Sequence, residues 1–185
     1  MEEELTKEEQ NELLRIAREA ISACFKESSL PEPTIKSRRL NESRGAFVTL
    51  HDKNHCLRGC IGSFMADKSL FMTIREMAVQ AAFHDPRFSP LEEEELKDIH
   101  IEISVLSPLK EIKDVGEIEV GKHGIYITNG FHCGTLLPQV AVECCWDRRT
   151  FLEHTCMKAG LPPDGWKRDA RILTYSAQVF SETKP

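Results

Sequence analysis

The sequence predicts an α+β fold, a mainly antiparallel sheet with covering helices. Ile99, Ile101, Ile103 and Val105 alternate with His100, Glu102 and Ser104, the period of a half-buried strand. Two segments read as hairpins, which join strands in antiparallel pairs. The order hairpin, helix, irregular loop, strand occurs once in each half. A duplicated hairpin–helix–strand unit is therefore expected, giving two lobes with a cleft. The 185 residues suit one domain, so residues 1–185 are read as a single domain whose lobes do not fold separately.

The elements follow in order. Thr6 and Glu9 have capping-box spacing, and Leu13, Leu14, Ala17, Ala20, Ile21 and Cys24 recur on one helical stripe until Pro31. Cys24 is expected to fill the core. After a linker from Pro31 to Ser43, Gly45 to Leu50 and Cys56 to Phe64 form a hairpin across the polar turn His51-Asp52-Lys53-Asn54. Asp67 or Ser69 caps a helix burying Leu70, Ile74, Met77, Ala78 and Ala81. Ser89-Pro90-Leu91-Glu92 opens a short acidic helix before the alternating strand. In the second half, Gly124 to Thr128 and Cys133 to Leu137 flank Asn129-Gly130, a hairpin signal. Asp147 caps a helix that buries Phe151, Leu152, Thr155, Cys156 and Ala159 and ends at Gly160, and Ile172 to Phe180 is the last strand. A His-Cys pair stands at each second hairpin strand, His55-Cys56 and His132-Cys133.

Composition excludes several function classes. The formal net charge is −6 and the basic residues are scattered, which works against phosphate binding on a nucleic acid. No apolar run approaches the length of a membrane span. Met1-Glu2-Glu3-Glu4 is the reverse of a basic secretory leader, so a cytoplasmic location is expected. The seven cysteines are then expected as thiols. Cys56 and Cys60 have a spacing that zinc tolerates, but no second pair follows, so no metal is expected.

The segment Leu57-Arg58-Gly59-Cys60-Ile61-Gly62 carries the most chemistry. In a strand, Leu57 and Ile61 face one way and Cys56, Arg58 and Cys60 the other. A guanidinium beside a thiol favours the nucleophilic thiolate, which makes Cys60 and Arg58 candidate catalytic residues. Gly59 and Gly62 permit a bulge or a close approach by a ligand. Asp85 and Arg87 flank Pro86, so that Asp85 holds Arg87 or either binds substrate; the alternative is a loop-closing ion pair. His123, Gln139 and Glu143 complete the candidate binding residues. His123 equally suits a turn, and Glu143 is a proton carrier or a turn cap.

Five blocks now stand in order: Leu57 to Gly62; Asp85-Pro86-Arg87-Phe88; Ile101 to Pro108; Leu136-Leu137-Pro138-Gln139-Val140; and Lys158-Ala159-Gly160-Leu161. Together they resemble the AMMECR-type domain family, over a motif core of about 45–166. The resemblance implies an α+β fold, an intracellular place and a grouping with Memo-like and radical-SAM proteins as partners. It implies no established reaction, and the cofactor stays unknown. Cys144-Cys145 departs from the family pattern and inherits no role. Two functions follow as expectations: an interaction or accessory subunit for those partners, or an enzyme or small-molecule binder using Cys60 and Arg58 in the inter-lobe cleft.

Overall fold

The computed structural model describes residues 4–26, 35–64, 67–168 and 170–182. Part of the expected linker from Pro31 lies outside them. The chain forms two compact units, Met1–Leu106 with Gln178–Pro185, and Ser107–Ala177.

In the first unit, α1 (Lys7–Phe25) starts on the expected capping box and buries Leu13, Leu14, Ala17, Ala20 and Ile21. Its buried stripe finishes on Ala23, and Cys24 falls on the flank, exposed; the core-filling expectation for Cys24 is corrected. A short α2 (Arg38–Asn41), capped by Ser37, precedes β1 (Ala46–His51) and β2 (Leu57–Ser63). Helix α3 (Leu70–Phe83) begins after Ser69 and buries Leu70, Ile74, Ala78 and Ala81. The expected helix at Ser89 starts later and winds tighter. It is a 3₁₀ turn, Glu93–Lys97, closed by reciprocal bonds between Glu92 and Glu95. Strand β3 (His100–Leu106) follows as expected. With β8 (Ala177–Ser181) from the far end of the chain, the sheet order is β2-β1-β3-β8, and one face is buried against α1 and α3.

The second unit contains β4 (Lys110–Ile112), β5 (Gly124–Asn129), β6 (His132–Leu136), α4 (Pro138–Glu143), α5 (Arg148–Lys158) and β7 (Arg171–Tyr175). Its sheet order is β4-β7-β5-β6, with Ile125, Ile127, Phe151, Leu152, Cys156 and Ile172 in its core. The sequence reading missed α4, whose first residue is Pro138, a favoured helix start. The expected final strand from Ile172 to Phe180 is two strands. It breaks at Ser176, and β8 (Ala177–Ser181) joins the first unit's sheet beside β3.

The duplication is visible in the pairing. The strands β2-β1-β3 and β6-β5-β7 have the same order, and each hairpin's first strand lies between its partner and the strand that follows the helix. The fourth strands are exchanged: β4, following β3 in the chain, pairs with β7, whereas β8, following β7, lies beside β3. At the two departures Ser107 and Ser176 bond each other, the Ser107 amide to the Ser176 carbonyl at 2.9 Å and the Ser176 amide to Ser107 Oγ at 3.0 Å.

Candidate functional site

Strand β2 is the terminal strand of its sheet, and its two glycines are packing requirements. A Cβ on Gly59 would run into the carbonyl of Ala81, so the end of α3 rests directly on the strand. A Cβ on Gly62 would overlap the ring of Phe47, its partner across the hairpin. The close approaches expected at these glycines are thus made by the protein itself.

Arg58 lies on the same face as Cys60, yet its guanidinium turns to Glu95. Nε and Nη2 donate to the two carboxylate oxygens at 2.8 and 2.9 Å, and the carbonyls of Ser89 and Pro90 accept at 3.0 and 3.3 Å. A planar fork matches a carboxylate better than it matches a thiol, which is why the sequence expectation of Arg58 beside the sulfur is not what is seen. Arg58 holds the Glu95 carboxyl below its ordinary range, and Glu95 in turn raises Arg58. The pair fastens the 89–95 segment to β2.

Asp85 and Arg87 fill the outer edge of β2. Asp85 Oδ2 accepts the Cys60 amide at 2.8 Å and Arg87 Nη2 at 2.7 Å; Oδ1 accepts Arg87 Nε at 2.9 Å and its amide at 3.1 Å. Arg87 Nη2 also donates to the Cys60 carbonyl at 3.2 Å. The outward backbone groups of Cys60 therefore bond side chains where another strand would otherwise pair. The Asp85 side chain is 1% exposed, so its charge survives burial only through these donors. The Arg87 guanidinium, outweighing desolvation, holds the Asp85 carboxyl well below the usual carboxylate range. Arg87 is raised chiefly by its bond to Asp85. The half-buried Cys60 sulfur accepts from the Thr49 hydroxyl at 3.2 Å. Two contributors were missed in the sequence: Thr49, identifiable only once the hairpin register pairs it with Cys60, and Glu95, hidden in an acidic run that reads as a solvated helix start.

The structure thus brings Cys60, Arg58, Asp85 and Arg87 to one strand edge in the first unit. His123, Gln139 and Glu143 lie in the second. His123 Nδ1 accepts the Glu119 amide at 3.2 Å and its own amide bonds the Glu119 carbonyl, so it closes a turn. Gln139 is half-buried near the start of α4, and Glu143 is exposed at its end. Among the described residues, no three His, Cys, Asp or Glu side chains converge as metal ligands. No helix among them is long and apolar enough to cross a membrane.

The chain matches the AMMECR1 family over residues 14–180. A protein of Methanopyrus kandleri is 44% identical, covering 100% of this chain and 94% of its own length. A protein of Methanosarcina barkeri is 41% identical over 98% of this chain and 94% of its own. The crystal structure of an uncharacterised protein from Pyrococcus horikoshii superposes with a TM-score of 0.84 at 37% identity, covering 94% of this chain and 91% of that one. This chain belongs to the AMMECR1 family.

Proposed function

We propose that the chain is an accessory subunit that binds other proteins, Memo-like and radical-SAM proteins being the partners its family implies. The observation behind this reading is the internal engagement of the site's charges. Arg58 is held by Glu95 and two carbonyls, and Asp85 is buried against Arg87 and the Cys60 amide. Groups held so firmly shape a surface better than they move protons, since a general acid or base must release its partner to work. The start of the same strand exposes Leu57, 41% accessible, and at its edge Arg87 lies over the Phe88 ring. Exposed apolar and arginine side chains of this kind suit a protein interface. The test is anoxic sedimentation of the purified chain with purified Memo-like and radical-SAM proteins of the same organism. A complex is expected, weakened by Leu57→Glu; the absence of any complex with either protein would sink the reading.

A second reading, a thiol-dependent enzyme or binder, draws on the Thr49 hydroxyl on the Cys60 sulfur and on Arg87, whose guanidinium bonds the Cys60 carbonyl. It expects Cys60 to be the fastest of the seven thiols to alkylate at neutral pH. Alkylation mapped by mass spectrometry decides it, and a sluggish Cys60 removes its support.

A further inference from the structure

The duplicated units differ at the outer edge of the second hairpin strand. In the first unit, Asp85 and Arg87 cap that edge at Cys60. The matching position in the second unit follows from register. Gly134, like Gly59, lies under the end of a helix, where a Cβ would meet the backbone of Lys158 and Ala159. Thr135, paired with Tyr126, then corresponds to Cys60, paired with Thr49.

The hairpin fixes which backbone groups face outward. Its two-residue loop is Gly130-Phe131, with Gly130 at φ +60° and Phe131 not in the left-handed region, the pattern of a type II′ turn. The sequence signal Asn129-Gly130 is therefore displaced by one residue. Such a loop closes on a hydrogen-bonded pair, Asn129 with His132, and bonded pairs alternate from there. Cys133 and Thr135 consequently turn their amides and carbonyls away from β5. Strand β6 ends its sheet, and no group among the described residues caps these positions. No charged residue stands between Phe131 and Pro138, although charge is a common guard of exposed edges. Phe131, at the turn, is fully exposed.

We propose that this edge pairs with the same edge of a second copy, β6 against β6, antiparallel about a two-fold axis at Gly134. Cys133 then stands opposite Thr135 of the partner subunit, and each such pair exchanges both N–H···O bonds. Phe131 falls opposite Leu137 of the partner subunit, which removes an exposed ring from water. An uncharged strand suits its own copy, because the two-fold axis sets no like charges against each other. Helix α4 starts at Pro138 and ends the pairing. The product is one continuous sheet of β4-β7-β5-β6 followed by the same strands in reverse.

The test is sedimentation equilibrium of the whole chain over a range of concentrations, with hydrogen exchange on the same samples. The wild type is expected to dimerise, with the Cys133 and Thr135 amides protected more at high concentration. Cys133→Lys and Phe131→Ser, both at exposed positions, should each weaken dimerisation about tenfold or more while leaving the circular dichroism unchanged. A protein that stays monomeric throughout overturns the proposal, including one whose edge is covered only when a foreign strand is supplied. A dimer indifferent to both substitutions, or one whose Cys133 and Thr135 amides stay open, overturns it too.

Discussion

The buried carboxylate of Asp85 is compatible with folding because each oxygen has a donor: the Arg87 guanidinium on both, its amide on Oδ1 and the Cys60 amide on Oδ2. Its folded carboxyl lies below the unfolded one, so its contribution is present above an unfolded pKa of about 4 and is lost as pH falls from there toward the folded value. Asp85→Asn should lower stability by about 2 kcal/mol at pH 7, since an amide replaces one charged acceptor with a donor. Urea midpoints of the two proteins should approach each other below about pH 4; a constant gap down to pH 2 would remove the linkage. Arg58→Lys should also destabilise, by about 1 kcal/mol in the same measurement, because an ammonium cannot reproduce the fork on Glu95 together with two carbonyls. At this scale the sequence showed what was local. Asp85 and Arg87 are two residues apart and their pairing was readable, whereas Arg58 and Glu95 are brought together only by the fold.

Elements with a strong period were legible, and those set by partners were not. Helices α1, α3 and α5 and strand β3 follow their apolar patterns. The three-residue strand β4 has no period of its own and exists because β7 offers Ile172 to Thr174 as partners. The repeated His-Cys pair was a coincidence: His132-Cys133 opens β6, whereas His55-Cys56 precedes β2, and His55 has a φ of 62° in the hairpin loop. What does repeat is a glycine beneath a helix end. Gly59→Ala and Gly134→Ala should each destabilise, by about 2 kcal/mol or more, since backbone rather than a flexible side chain must yield. Chemical denaturation of the two variants checks this. Gly130→Ala is the control for glycine loss without a neighbour: nothing lies within 4 Å of its Cβ position, so its penalty comes from the positive φ alone and should be near 1 kcal/mol. If all three variants were equal, packing beneath the helix ends would not be what these positions require.

At the scale of the whole molecule, the exchange of β4 and β8 is what the sequence could not show. The stretch from Ile172 to Phe180, rich in strand formers and without glycine or proline, looks like one strand, and only the Ser107–Ser176 crossing divides it. The first unit is consequently discontinuous in the chain, and its stability rests partly on residues from the far end. Glu182 accepts Arg18 through Nε and Nη2, both at 2.6 Å, and accepts the Ile101 amide at 2.9 Å. Arg18 also donates to the carbonyls of Leu96 and Ile99. Gln178 accepts the Leu5 amide at 2.8 Å and donates to its carbonyl at 3.1 Å, so β8 anchors the start of α1. A chain ending at Ser176 should therefore lose protection in α1 and β3, with the flank of β3 uncovered and Phe180 missing from the core. Strands β5, β6 and β7 should keep theirs, because their pairing does not involve β8. The point variant Glu182→Ala separates the carboxylate from the strand. It leaves Arg18 with only carbonyl acceptors in a half-buried place, at a loss of about 2 kcal/mol, while the apolar contacts of β8 remain. Hydrogen exchange read residue by residue distinguishes the cases. Uniform loss across β1 to β7 in the truncated chain would mean that the two cores unfold as one, and unchanged exchange in α1 and β3 would mean that the exchanged strand carries no stability.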